Sequence, residues 1–180
     1  MIYYKSRMIK FCAYSSGDYS KMKFYTVALF GHRDIDDLRG LEAKLTPIVK
    51  TLIETKPYVD FLIGRMGEFD EYAASVIKTV RKQLGSENTS LTLVLPYTVA
   101  DIEYYEKYYD SVLIPESLYG TYPKSAITLK NKWMVERANL VVAYVERESG
   151  GAYTAMKYAE KIGKDVINLC LENDKYLDDI

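Results

Sequence analysis

Short apolar runs alternate with longer segments of helical periodicity along almost the whole chain. The apolar runs predict strands at 24–30, 59–63, 91–95, 111–114, 140–145 and 166–169, and the helical spacing predicts helices at 36–56, 68–84, 100–109, 125–137 and 152–162. Strands that are apolar at nearly every position are typical of a sheet covered on both faces. The alternation therefore predicts a single α/β domain in three layers, with a mainly parallel sheet between two layers of helices.

Composition excludes several classes of protein. The 180 residues carry a formal net charge of −1, which argues against a nucleic-acid partner or an anionic membrane surface. Two cysteines and one histidine give neither a disulfide framework nor a histidine-based zinc site, and the sequence indicates no metal and no cofactor. No apolar run approaches the ~20 residues of a membrane helix, so we expect a cytoplasmic protein with no membrane partner.

The first 21 residues differ in pattern from the rest. They are basic in places and include a Ser-Ser-Gly-Asp loop, but no amphipathic or signal-peptide pattern follows. We expect residues 1–21 to be a dispensable N-terminal extension, either disordered or added as an edge strand at 9–14. The folded domain is then 22–180, with Met22 as an alternative start of translation.

A glycine pair lies between the strand at 140–145 and the helix that follows it. Ser149, Gly150 and Gly151 form this turn, and the preceding helix carries Lys130 and Asn131. Backbone N–H groups at a helix N-terminus bind anions well, and glycines let a phosphate approach them. The turn predicts a site for a phosphate-bearing small molecule, although glycine is also common in any tight turn.

Two other predicted strands end in similar turns. Gly31, His32 and Arg33 follow the first strand, whereas Gly64, Gly67 and Asp70 follow the second. Because parallel strands present their carboxyl ends at one edge of the sheet, these three turns should converge there.

Each polar residue of these turns also has a structural interpretation. Arg33 suits phosphate but could form a surface salt bridge, and His32 could be a hydrogen-bond partner. Asp70 could contact a ribose hydroxyl or only complement a helix N-terminus. Asp34 or Asp36 could cap the first helix.

These motifs, in this order, resemble the SLOG superfamily of Rossmann-like proteins, which includes the DprA, LOG and YpsA-like families. The YpsA-like branch is the most similar. Its strand-Thr-Gly-His-Arg opening corresponds to 30–33 and its Gly-x-x-Gly-x-Asp turn corresponds approximately to 64–70. Its Arg-Asn-x-x-Met-Val block corresponds to 130–135, and its Gly-Gly-Thr turn with a Tyr-Ala helix corresponds to 150–159. The resemblance implies a single Rossmann-like domain that binds a nucleotide-like ligand.

The resemblance does not extend to the catalytic groups of the enzymes in this superfamily. LOG enzymes hydrolyse the N-glycosidic bond of nucleoside monophosphates, and their glycine motif continues to a threonine and a glutamate. Thr154 matches that threonine, but Lys157 replaces the glutamate. The related deoxyribosyltransferases use a nucleophilic glutamate, and Ala155 stands at its position.

Three functions from different classes remain open at this point. The first is binding or sensing of a nucleotide or nucleotide-derived phosphate ligand without efficient catalysis. The second is a glycosidic-bond hydrolase or transferase that uses Asp70, Glu68 or Glu148 instead of the missing groups. The third is a DprA-like binder of single-stranded DNA, against which the near-neutral charge argues. The sequence leaves a homo-oligomer open.

Overall fold

The computed structural model describes residues 24–171. Its strands are β1 (Tyr25–Gly31), β2 (Val59–Ile63), β3 (Thr89–Val94), β4 (Ser111–Leu113), β5 (Leu140–Tyr144) and β6 (Asp165–Asn168). Its helices are α1 (Leu38–Thr55), α2 (Glu68–Leu84), α3 (Ile102–Tyr108), α4 (Pro123–Arg137) and α5 (Gly150–Lys161), with a short 3-10 turn at Glu116–Leu118. The predicted N-terminal extension lies outside the described residues.

All strand pairs in the described part of the chain are parallel, and the sheet has the order β4-β3-β2-β1-β5-β6. The central strand β1 pairs with β2 on one side and with β5 on the other, so that Val27 aligns with both Phe61 and Leu140. This arrangement confirms the predicted fold class.

Two apolar cores lie on opposite faces of the sheet, as a three-layer domain requires. On one face, α1 and α2 bury residues such as Leu45, Leu52 and Ile77 against the strands. On the other face, α4 and α5 bury Met134 and Ala159. Because both faces are covered, the strands are apolar at most positions rather than at alternate ones.

Several helix ends differ from the prediction. Asp37, rather than Asp34 or Asp36, caps α1, since its side chain accepts a hydrogen bond of 2.8 Å from the Gly40 N–H. Helix α4 begins at Pro123, where a missing N–H costs nothing in the first turn. Helix α5 begins at Gly150 instead of 152. The glycine pair therefore belongs to the first turn of the helix and does not form a separate turn before it.

Two asparagine side chains fix β5 in place. The Asn139 side chain accepts a hydrogen bond of 2.8 Å from the Thr26 N–H, at the start of the β1–β5 pairing. At the other end of β5, the Asn168 amide bonds both backbone groups of Val145, at 3.1 and 2.9 Å. These bonds hold the backbone of Val145 in place, and with it the start of the loop that follows β5.

None of the helices in 24–171 combines the length and the apolar character that a membrane span needs.

Candidate ligand-binding site at the carboxyl ends of the strands

The strand order changes direction at β1, and a cavity opens at that point. From β1 the chain proceeds through β2 and β3 to one side of the sheet, and β5 and β6 occupy the other side. The loops after β1 and β5 lead to helices on opposite faces, so a crevice remains between them, which is where ligands bind in open α/β sheets. The cavity has a volume of about 350 Å³, near the lower end for small-molecule sites.

The structure brings together all but two of the residues that the sequence nominated. The cavity is lined by Gly31, His32, Arg33, Gly64, Asp70, Lys130, Asn131, Ser149, Gly150 and Gly151. The three turns therefore converge as the topology requires. They come from loops that are far apart in sequence, and only the parallel sheet aligns them.

Gly67 and Thr154 do not line the cavity, and both have local structural roles. A Cβ atom on Gly67 would lie 2.4 Å from the Arg33 Cα, so glycine is needed there for close packing of two loops. The Thr154 hydroxyl donates to the Gly150 carbonyl at 2.9 Å within α5.

The N-terminus of α5 faces the cavity without a protein cap. The Ser149 side chain makes no capping bond, and the first turn carries no acidic residue. The N–H groups of a first helical turn have no carbonyl partner inside the helix, and Gly150, Gly151 and Ala152 all line the cavity. This end of α5 can therefore accept an anion from the cavity.

The two glycines at the start of α5 differ in how strongly the backbone requires a glycine. Gly150 has a φ of 87°, a left-handed conformation that disfavours other residues. Gly151 has no such constraint, and an added Cβ would meet only the Asn131 Nδ2, at an ordinary 3.6 Å. Gly151 is therefore open to substitution without strain, and a side chain there would extend into free space.

Lys130 is a buried cation that forms no direct ion pair with any residue in 24–171. It is 4% exposed and lines the cavity from α4. Within 24–171 its ammonium makes no hydrogen bond and no salt bridge. Burial lowers the pKa of Lys130, and the nearby Asp70 carboxylate opposes that shift. Among the described residues, Thr89 Oγ1 is the only fully buried side-chain polar atom without a partner, so the Lys130 ammonium is accessible from the cavity. Its unused donors can therefore bind acceptors of a ligand there.

Asp70 shares the floor of the cavity with Lys130. Its Oδ2 accepts a 2.7 Å hydrogen bond from the Met66 N–H. Burial raises the pKa of Asp70, whereas Lys130 and the Met66 N–H counteract that effect. A Cβ on Gly64 would lie 2.9 Å from both the Asp70 Oδ2 and the Lys130 Nζ, so glycine at 64 leaves room for the two charged groups.

His32 connects the loop after β1 to the loop after β5. Its Nε2 accepts hydrogen bonds from the N–H groups of Glu146 and Arg147, each at 3.1 Å. An atom that accepts two bonds carries no proton, so the imidazole is neutral and is protonated on Nδ1. Burial lowers the pKa of His32; the Arg147 charge acts in the same direction and Glu146 opposes it.

This geometry predicts that acid weakens the connection between the two loops. Because the folded-state pKa of His32 is below the ordinary 6.5, the unfolded chain takes up a proton first as pH falls. The contribution of His32 to the free energy of unfolding is therefore complete at pH values above the ordinary pKa of 6.5, and it decreases as the pH falls from there through the lower pKa of the folded state. The chain contains one histidine, so nuclear magnetic resonance should show one imidazole titration, with a midpoint below 6.5. A midpoint at or above the ordinary value would contradict the assignment, and His32→Gln should lose this part of the pH dependence of the melting temperature.

Sequence reasoning did not nominate one cation of the cavity. That cation is Arg147, which lines the cavity together with Arg33 and Lys130. The Arg33 Nε donates to the Met66 carbonyl at 3.1 Å, which holds this arginine beside the second loop. Three cations against one carboxylate make the lining positive, although the whole chain is nearly neutral. The sequence does carry a signal for Arg147, because a basic residue lies only three positions before the glycine pair.

The positions that carry catalytic carboxylates in the enzymes of the superfamily lie outside the cavity. Lys157 is exposed and forms an ion pair of 2.6 Å with Glu160, and Ala155 is buried in the core. Of the carboxylates considered as replacements, Glu68 accepts a hydrogen bond from the Ile35 N–H, and neither it nor Glu148 lines the cavity. Asp70 does line it.

Comparison with known proteins supports the fold. No protein-family model matches the chain, and no curated protein matches it significantly. Among solved structures, DNA processing protein A (DprA) from Streptococcus pneumoniae is similar at 18% identity, with a TM-score of 0.58 over 81% of this chain and 50% of that one. The chain thus spans about half the length of that relative. The likeness shows that this chain has a Rossmann-like α/β fold.

Proposed function

We propose that the cavity binds a nucleotide or a nucleotide-derived phosphate ligand and that the protein senses or holds this ligand without efficient catalysis. The observation that carries the proposal is the presence of two anion-attracting features in one cavity. They are the first turn of α5, which no side chain of the described residues caps, and the ammonium of Lys130, which forms no hydrogen bond or salt bridge within 24–171. Arg33 and Arg147 add positive charge at the rim.

The remaining lining favours a nucleotide over free phosphate. Leu29, Phe30, Met66 and Ile127 give the cavity an apolar part beside its charged part. A nucleotide has the matching composition, with a phosphate at one end and a flat, largely apolar base at the other. The motif resemblance to families that bind nucleotides supports the same choice.

A panel of nucleotides tests this proposal directly. The panel contains AMP, ADP, cyclic AMP, ADP-ribose, GMP and the nucleosides adenosine and guanosine, first screened by thermal shift and then titrated by calorimetry. We expect at least one nucleotide to raise the melting temperature, because a ligand at about a hundred times its Kd stabilises by about 2.7 kcal/mol. The matched nucleoside should bind far more weakly. Equal binding of nucleotide and nucleoside, or no binding by any nucleotide of the panel, would contradict a phosphate site.

The absence of carboxylates at the enzyme positions leads to a second expected result. Any nucleotide that binds should be recovered intact by chromatography after long incubation. The residues at the positions of the two catalytic glutamates, Lys157 and Ala155, are not carboxylates and do not line the cavity, so neither can stabilise the positive charge that develops on ribose during glycosidic cleavage. Release of base at about 1–10 per second, an ordinary enzymatic rate, would instead favour a hydrolase.

DNA is the other candidate ligand, because of the likeness to a DNA processing protein. The net charge of −1 argues against an extended phosphate-binding groove. A single-stranded oligothymidylate added to the same titrations should show no salt-dependent binding. Binding that weakens steeply with salt would favour DNA instead.

A further inference from the structure

We infer that Asp70 and Lys130 together bind the vicinal hydroxyl groups of a pentose, so that the site selects ribose phosphates over deoxyribose phosphates. This inference rests on the proposed function and adds a determinant of specificity to it. The Asp70 Oδ2 and the Lys130 Nζ each lie 2.9 Å from the position that a Cβ on Gly64 would occupy, so both charged atoms lie close together beside Gly64. Gly64, Asp70 and Lys130 all line the cavity, and the lack of a side chain at Gly64 leaves both groups accessible from it.

The two groups retain unused hydrogen-bonding capacity. An ionised carboxylate offers about four acceptor sites, and within the described residues Asp70 accepts one bond, from the Met66 N–H. Lys130 has three N–H donors and uses none of them within 24–171. The two side chains form no salt bridge with each other. An acceptor and a donor are therefore both available at the floor of the cavity.

The chemistry of these two groups excludes phosphate as the partner of Asp70. A phosphate oxygen is an acceptor and would be repelled by the carboxylate, so we place the phosphate at the α5 end, beside Gly150 and Gly151. The Lys130 charge still attracts it there, because all these residues line one cavity. A hydroxyl group both donates and accepts, and two adjacent hydroxyls can use Asp70 and Lys130 at the same time. The ribose 5-phosphate unit of a nucleotide has this composition, with a phosphate at one end and vicinal hydroxyls a short distance away.

Base-free sugar phosphates test this without knowledge of the base. Ribose 5-phosphate, 2-deoxyribose 5-phosphate, 2,3-dideoxyribose 5-phosphate and inorganic phosphate are titrated against the wild-type protein. We expect ribose 5-phosphate to bind at least about tenfold more tightly than the 2-deoxy compound, because a hydrogen bond to a charged group is lost. The dideoxy compound should bind no better than inorganic phosphate.

The variant Asp70→Asn separates a role in recognition from a role in folding. The amide can still accept from the Met66 N–H but lacks the negative charge, so inorganic phosphate should bind at least as tightly as it binds to wild type. The preference for ribose should fall to less than about threefold. Asp60→Asn is the matched control. Asp60 is also a carboxylate whose pKa burial raises, but its partners are Ser90 and Thr92 and it does not line the cavity. It should keep the full ribose preference.

The outcomes distinguish this inference from the proposed function. If phosphate and all the sugar phosphates bind equally well to wild type, the ribose inference is wrong and the phosphate site stands. If the ribose preference survives in Asp70→Asn, other residues select the hydroxyls and the assignment to Asp70 is wrong. If neither phosphate nor any sugar phosphate binds, both proposals are contradicted.

Discussion

Replacing Lys130 with methionine should weaken nucleotide binding by about ten- to a hundredfold while the protein stays folded. The loss corresponds to about 1.5–3 kcal/mol, the contribution of a hydrogen bond to a charged group. Methionine preserves most of the apolar length of the side chain within α4 but removes the cation from the cavity. Calorimetric titration of the nucleotide that binds best to wild type measures the effect, with circular dichroism as the check on folding.

The dependence of binding on pH should change in the same variant. Because burial lowers the pKa of Lys130, the wild-type cavity should lose its positive charge, and with it nucleotide affinity, at a lower pH than an exposed lysine would allow. Lys130→Met should show no such alkaline decrease.

Lys164→Met is the matched control for this substitution. The Lys164 Nζ donates to the carbonyls of Glu136 and Ala138, at 3.0 and 2.8 Å, at the C-terminal end of α4. The control should lose some stability and keep wild-type affinity. Equal loss of affinity in both variants would show that Lys130 acts only by supporting α4.

Two glycine-to-alanine substitutions on the same cavity should have opposite effects. In Gly31→Ala, the new Cβ would lie 2.0 Å from the Phe69 Cγ. Phe69 is fully buried and stacks on Tyr144, so it cannot move away easily. Overpacking of this kind costs about 1–3 kcal/mol, which lowers the melting temperature by several degrees in a domain of this size.

Gly151→Ala should preserve stability and weaken binding. Its Cβ meets only the Asn131 Nδ2 at 3.6 Å, and alanine is favoured over glycine in a helix by about 0.5–1 kcal/mol. The methyl group would stand beside the N–H groups of the first turn of α5, where we place the phosphate. Gly151→Val should strengthen the effect on binding. If Gly151→Ala binds nucleotide as tightly as wild type does, the phosphate does not lie at the N-terminus of α5. If Gly31→Ala is as stable as wild type, the packing of Phe69 does not explain the glycine at position 31.

Local sequence patterns predicted most of the elements. Strand β2 and helix α2 have the predicted bounds, because an unbroken apolar run defines the strand and Gly85, with a φ of 60°, ends the helix. The predicted bounds were wrong where a side-chain hydrogen bond, rather than the hydrophobic pattern, sets the end of an element. Strand β3 begins at Thr89, two residues early, and the Ser90 hydroxyl there donates to Asp60 in the neighbouring strand.

The candidate site was predictable in its location but not in its energetics. Glycines at strand ends and the parallel topology indicated which loops meet. No pattern in the sequence distinguishes Lys130 from an exposed lysine, because its burial depends on how α4 packs on the sheet. The packing requirement at Gly31 likewise comes from Phe69, a residue far along the chain that contacts it only in the folded protein.

The pairing of β1 with β5 has a consequence for how this chain is made. Val27 pairs with Leu140, 113 positions later. At a synthesis rate of about 5–20 residues per second, the apolar edge of β1 is unpaired for roughly 6 to 23 seconds before its second neighbour is synthesised. During that time the nascent chain exposes a strand edge that can pair wrongly with other chains. The cavity, which needs both strands, is assembled last, so newly made protein should acquire ligand affinity later than it acquires helical structure.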